Sequence, residues 1–161
     1  MKNRSIVFLT GMVSFVAGFF LGGKALVEMI NNYKMEKERN LSNMLLFHDW
    51  IEFLYSGGCV EQYFHRHNYK RILIYGNGYI GQRLYHALDQ TDIDVVAIMD
   101  KQNVSDVDVE GMLIGVDSDI PDIDCVVITP IFYFDEIYNM LRKKTQQPII
   151  AIDALWKIYD N

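Results

Sequence analysis

The sequence predicts an α/β protein, a doubly wound parallel sheet of four or five strands preceded by a long apolar helix and a connecting helix. Three observations predict it. Short apolar, mostly β-branched runs recur at Arg71–Tyr75, Val95–Met99, Cys125–Thr129 and Pro148–Ile152, each of a length and character suited to a buried strand. Helical patterns follow the first and third of these runs, as crossover connections between parallel strands require. The first run also leads directly into Gly76-Asn77-Gly78-Tyr79-Ile80-Gly81, a complete Gly-x-Gly-x-x-Gly turn.

The chain begins with a short basic stretch, residues 1–4. Residues 5–23 then carry no charge. Nineteen helical residues span roughly 28 Å, against a hydrocarbon core of about 30 Å, so this segment is expected to be a transmembrane helix. A basic start followed by an apolar run also suits a signal peptide. The lack of a small-x-small cleavage site or a following lipobox cysteine favours a retained anchor. Thr10, Ser14, Gly18 and Gly22 fall on one helix face. The Gly18–Gly22 pair admits close approach of two helices and hence a homodimer, although glycine and serine are also common in such helices for no specific reason. Basic residues flank the segment on both sides, so their count does not orient it.

Residues 24–57 read as a helical stalk and connector. Nothing breaks a helix from Glu28 to Tyr55, and Met44, Leu45, His48, Ile51, Leu54 and Tyr55 recur at helical spacing, which predicts the face that packs on the domain. Gly57-Gly58 ends that helix, and a shorter one is expected from Cys59 to His67. Tyr33 and Lys37 match a Tyr-x-x-x-Lys spacing used by short-chain dehydrogenases, but they precede the nucleotide fold, and we read the match as chance. His65 and His67 have no cysteine or carboxylate cluster beside them, so they read as solvated surface and not as metal ligands.

Residues 58–161 form the expected nucleotide-binding domain. Gly76 permits the tight turn out of the first strand, Gly78 leaves room for a phosphate, and Gly81 lets the helix lie close to the strands. The helix N-terminus offers unpaired N–H groups and about half a positive charge to an anion. Asp100 ends the second strand, where its carboxylate suits ribose hydroxyls. Strand, glycines, helix, second strand and acid in this order predict a Rossmann-like βαβ unit. Lys101 introduces a basic residue suited to a 2′-phosphate, but Asp100 would repel one, so an NAD-like or UDP-like ribose is expected over NADP.

Between Gln102 and Asp124 only the patch Met112-Leu113-Ile114, flanked by Gly111 and Gly115, is apolar. It predicts a short strand or loop crossing without a full second helix. Thr129 is expected to cap the next helix, with Pro130 in its first turn, and lies where ligands of open sheets bind. Phe134, Ile137, Tyr138 and Leu141 give that helix its apolar face, and Arg142, Lys143 and Lys144 suit its C-terminal dipole. Asp153 is expected to cap a final helix through Tyr159.

The run KRILIYGNGYIGQRLYHAL, then VVAIMD and GMLIG, resembles the Rossmann-like nucleotide- or nucleotide-sugar-binding modules of bacterial surface-polysaccharide biosynthesis proteins. These include the N-terminal domains of sugar acyltransferases and of membrane-anchored sugar epimerases and sugar-phosphate transferases. The resemblance spans about Lys70 to Asp153 and implies that Gly76, Gly78, Gly81 and Asp100 contact the ligand. Those modules usually end their second strand in two acids, where this sequence has Asp100-Lys101, and they carry a catalytic domain after the module. The chain is also similar to small anchored proteins of Gram-positive gut bacteria that have no assigned activity. Binding is therefore the expectation carried over, without a reaction.

The expected ligand-contacting set is Gly76, Asn77, Gly78, Tyr79, Ile80, Gly81, Asp100 and Thr129, with no catalytic or metal-ligating residues. The expected ligand is NAD or a UDP-type nucleotide. A net charge of −6 argues against nucleic acid, whose phosphates need a basic surface. Two cysteines, Cys59 and Cys125, make no disulfide framework, and Cys125 in an apolar run reads as a buried thiol. With a cytosolic nucleotide as ligand, the domain is expected on the cytoplasmic side of a single-pass anchor. Two other functions stay open: a ligand-free scaffold for association at the membrane, and an NAD-dependent reductase or sugar epimerase. The last needs a positioned acid or base beyond the cofactor site, and the sequence offers no candidate pair after Asp100.

Overall fold

The computed structural model describes residues 2–101 and 112–157, with side chains from Gly23 onward. The chain divides into two compact units, Met1–Leu41 and Ser42–Asn161. The first unit is helical, the beginning of α1 (Lys2–Tyr55), which continues into the second. Among the described residues no helix is long and apolar enough to cross a membrane. The segment expected as an anchor, 5–23, and its Gly18–Gly22 pair have their side chains outside the described residues up to position 22. The expected helical stalk, 24–57, lies within α1 up to Tyr55.

The second unit carries the α/β fold. After α1 come α2 (Glu61–His67), β1 (Arg71–Tyr75), α3 (Tyr79–Leu88), β2 (Asp94–Asp100), β3 (Leu113–Gly115), β4 (Cys125–Ile128), α4 (Phe134–Leu141) and β5 (Ile149–Ala151). The five strands form one sheet in the order β3-β2-β1-β4-β5. Every pairing is parallel, as the Rossmann-like reading expects. The β1–β2 register shifts between Ile72 and Leu73, which pair with Val95 and Ala97. The order reverses direction at β1, leaving a crevice beyond the carboxyl ends of β1 and β4 where open sheets bind ligands.

Side chains alternate across the sheet with period two. Ile72, Ile74, Ile98 and Val127 face a core closed by Leu84 and Leu88 of α3, Phe64 of α2, and the last turns of α1. Leu73, Tyr75, Met99 and Ile128 face the opposite core, closed by Ile137 and Leu141 of α4. Burial on both faces explains why these strands read as unbroken apolar runs. Burial also pushes the Cys125 thiol up to about 12, helped by the Asp124 charge, so it is a neutral core group.

The packed face of α1 is not the expected one. Leu46, Trp50 and Phe53 are buried, while Met44, Leu45, Ile51, Leu54 and Tyr55 stay largely exposed and His48 is exposed with them. Both faces are apolar at helical spacing. The buried one carries the larger rings, which stack on Trp156 at 5.6 Å for Trp50 and tilt against it at 6.4 Å for Phe53. Aromatic rings of this size remove the most area from water.

Other differences concern helix ends. Thr129 does not cap a helix: a 3-10 turn at Ile131–Tyr133 intervenes before α4, and neither start has a side-chain cap. The basic residues expected in the last turn of α4 lie beyond it and hold loops instead. Arg142 donates to the carbonyls of Thr145 and Gln147, and Lys144 to those of Val116 and Ser118. Asp153 sits inside a 3-10 turn, Ile152–Leu155, whose capping position is Ala151. Its carboxylate pairs with Lys157 at 2.5 Å. Gly111 and the expected helix end at Tyr159 lie outside the described residues. His65 contacts Asp92 at 2.5 Å, and no metal-holding cluster occurs among the described residues.

The start of β1 is fixed by one carboxylate. Asp124 accepts the backbone N–H groups of Lys70 and Arg71 at 2.7 and 2.8 Å, which holds it below the usual carboxylate range. A depressed native value favours the fold above the unfolded value of about 3.9 and loses that advantage as pH falls through the native value. Asp124→Asn is therefore expected to cost roughly 1 kcal/mol at neutral pH, given its partial exposure. In urea denaturation across pH 7 to 2, the gap from wild type should close on the acid side.

Candidate functional site

The ends of β1, β2 and β4 and the start of α3 meet within one turn of chain. Gly76 carries the ladder one residue past β1, donating its N–H to the Met99 carbonyl at 2.8 Å. Its φ of +107° lies where only glycine is at ease. A Cβ there would also stand 2.5 Å from Thr129 Oγ1 and 2.9 Å from Pro130 Cδ. The buried Thr129 hydroxyl donates back toward the carbonyl oxygens of Tyr75 at 3.1 Å and Gly76 at 3.4 Å. Thr129 thus ties β4 to the turn. Gly81 sits so close to the strand end that a Cβ would meet the Gly76 carbonyl oxygen at 1.9 Å.

Gly78 differs from both. Its φ is −75°, which any residue adopts, and a Cβ would meet nothing within 4 Å. It caps α3 without a side-chain hydrogen bond. The first bond within the helix runs from Gln82 N–H to the Gly78 carbonyl at 3.0 Å. The N–H groups of Gly78, Tyr79, Ile80 and Gly81 thus have no acceptor within the helix, and no acidic residue occupies its first turn. Among the described residues, nothing fills the place of a Gly78 Cβ at this positive helix end.

The neighbouring polar groups separate into two kinds. Asp100 turns its carboxylate onto the loop and accepts the Asn77 backbone N–H at 2.6 Å, while Gln82 Nε2 donates to the Asn77 carbonyl at 3.1 Å. The Asn77 side chain is only 5 % exposed, and neither its Oδ1 nor its Nδ2 has a hydrogen-bond partner. A buried amide left this way costs about 1–3 kcal/mol per unsatisfied group; among the described residues the indole N–H groups of Trp50 and Trp156 are the other buried side-chain groups without a partner.

All eight residues expected from the sequence therefore gather at this edge, but in different roles. Gly76, Gly81 and Thr129 build the turn, and Ile80 is buried in the core. Gly78 and Tyr79 are exposed, Tyr79 at 61 %, while Asn77 is buried and Asp100 half-buried against the loop.

Three residues were not singled out in advance. Arg83 lays its guanidinium over the Tyr79 ring at 4.8 Å, and the i, i+4 spacing was the available signal. Phe47 of α1 meets the same ring edge-on at 5.2 Å. Tyr75 has its phenol pushed up by burial and then by the charges of Asp100 and Glu136, which brings Glu136 of α4 near the same edge. No sequence pattern announces that approach. A cavity of about 390 Å³ opens at the start of α4, lined by residues 131–136. Asp135 and Glu136 in its wall disfavour a phosphate there.

The glycines supply a direct check. Gly76→Ala and Gly81→Ala should each cost more than about 3 kcal/mol, from strain at positive φ and backbone collision respectively. Gly78→Ala should stay within about 1 kcal/mol of wild type, since a small capping loss is offset by a stiffer unfolded chain. Denaturant melts of the three variants read this ordering.

No curated protein and no solved structure matches the chain. The family model described as C2185-like, N-terminal matches residues 68–148, a span that runs from just before β1 to just before β5 and takes in the whole glycine turn. The chain belongs to the C2185-like, N-terminal family.

Proposed function

We propose that this chain is a nucleotide- or nucleotide-sugar-binding module of Rossmann type, anchored at the membrane by its apolar N-terminal segment and accessory to surface-polysaccharide biosynthesis. The observation that carries the reading is Gly78. Gly76 and Gly81 are explained by their own surroundings, whereas Gly78 has a relaxed backbone and empty space around it. A glycine that the fold does not need is explained by a ligand group that comes close to the backbone. The exposed N–H groups of the α3 start suit a phosphate in that space, and the unpartnered Asn77 amide suits a neighbouring polar ligand group.

Asp100 supports a ribose with free hydroxyls. Its negative charge beside the loop disfavours a 2′-phosphate, so NAD or a UDP-type nucleotide fits better than NADP. The uncharged segment 5–23 supports the anchor, a cytosolic ligand supports a cytoplasmic domain, and Gly18 and Gly22 support pairing of two anchors. The Asp100 bond to Asn77 N–H also favours a second reading, a ligand-free scaffold, because the carboxylate takes an amide the loop would otherwise offer.

Thermal melting of the full chain in detergent micelles separates the two, with NAD, NADP, UDP and UDP-sugars as probes. A ligand present at a hundred times its dissociation constant adds about 2.7 kcal/mol, enough to raise Tm by several degrees. We expect that rise with NAD or a UDP compound, its loss in Gly78→Asp, and little response to NADP. A folded protein whose Tm ignores every probe would support the scaffold.

A further inference from the structure

We propose that Arg83 is a second anion-binding group of this site, and that it makes the site select ligands with two adjacent phosphates over ligands with one. This inference rests on the nucleotide reading above. Its starting point is an electrostatic conflict. Cations are stabilised at the C-terminal ends of helices and destabilised at the N-terminal ends. Arg83 belongs to the second turn of α3, and helical side chains lean toward the N-terminus, over the preceding turn. The cation–π contact at 4.8 Å shows that it does so, placing the guanidinium on Tyr79, the first residue of the helix. A full positive charge is thus added where the helix already presents a partial one.

Among the described residues no protein group relieves the conflict. Arg83 has no ion pair among the described residues, and the first turn of α3 contains no acid. Asp100, the nearby carboxylate, is turned onto Asn77 N–H. The Tyr79 ring holds the guanidinium in place and is itself braced by Phe47. Local conflicts of this kind collect at functional sites.

An anion resolves it. One phosphate in the space at Gly78 takes the helix N–H groups, next in sequence to Asn77, whose buried amide has no partner among the described residues. A second phosphate, displaced along the outer face of the first turn, meets the planar fork of Arg83, which matches phosphate oxygens two at a time. Helix end and arginine together fit a diphosphate, the group shared by dinucleotides and nucleotide-sugars.

Calorimetric titration of the full chain in detergent micelles with ADP against AMP, and UDP against UMP, tests this. Wild type should bind the diphosphate of the preferred base at least about tenfold more tightly than its monophosphate. Arg83→Ala should shrink that ratio to about twofold while leaving monophosphate affinity within about twofold of wild type. Arg83→Lys should fall between them, because an ammonium keeps the charge and loses the fork. Since Arg83 is exposed, circular dichroism should show Arg83→Ala folded. An undiminished diphosphate preference in folded Arg83→Ala overturns the role of Arg83 and leaves the nucleotide reading standing. Failure of wild type to bind any of the four overturns the nucleotide reading, and this inference with it.

Discussion

The close approach of the α3 start to the end of β1 sets the rest of the site. It depends on two glycines and one hydroxyl. Gly81 lets the Gly76 carbonyl oxygen come where a Cβ would otherwise be, 1.9 Å away. Gly76 takes a left-handed turn under the Thr129 side chain, and Thr129 fastens β4 to the same turn. Without that approach, α3 would leave the sheet at another angle. Its free N–H groups would no longer lie beside the ends of β2 and β4, and Asp100 would not reach the loop.

Within that frame, the polar groups at the edge are unevenly satisfied. Backbone positions are tied down: Asn77 N–H by Asp100, and its carbonyl by Gln82. Other groups near the α3 start have no partner among the described residues: the helix-start N–H groups lack an acceptor within the helix, the Asn77 amide has no hydrogen bond, and Arg83 has no ion pair. Each is costly or neutral for an isolated fold, and the proposed phosphate site rests on them. Phe47 bracing Tyr79 also places the last turns of α1 directly against this edge.

Much of this was legible in the sequence. β1, β2, β4 and the glycine turn could be read because each strand is buried on both faces and the glycines have steric reasons that a pattern records. Asp100 could be placed because a strand end fixes where its last side chain goes. The α1 packing face could not, since two opposite faces are apolar and only three-dimensional packing chooses Trp50 and Phe53 over Ile51 and Tyr55. Thr129 was placed correctly but given the wrong bond. A threonine before a proline looks like a cap, and the competing acceptors, the carbonyls of Tyr75 and Gly76, lie over fifty residues away in sequence. Glu136 near Tyr75 was invisible for the same reason.

The central claim is that the space at Gly78 is a phosphate site flanked by the Asn77 amide, and amide NMR tests it most directly. ¹⁵N-labelled protein in detergent micelles would be titrated with UDP and, separately, NAD. The account expects saturable shifts of the Gly78, Tyr79 and Ile80 backbone N–H signals and of the Asn77 side-chain amide pair with at least one of the two. Signals from α4 and β5 should hold still. Titrations that leave those loop and Asn77 signals unmoved, or that move only residues 131–136, would contradict it.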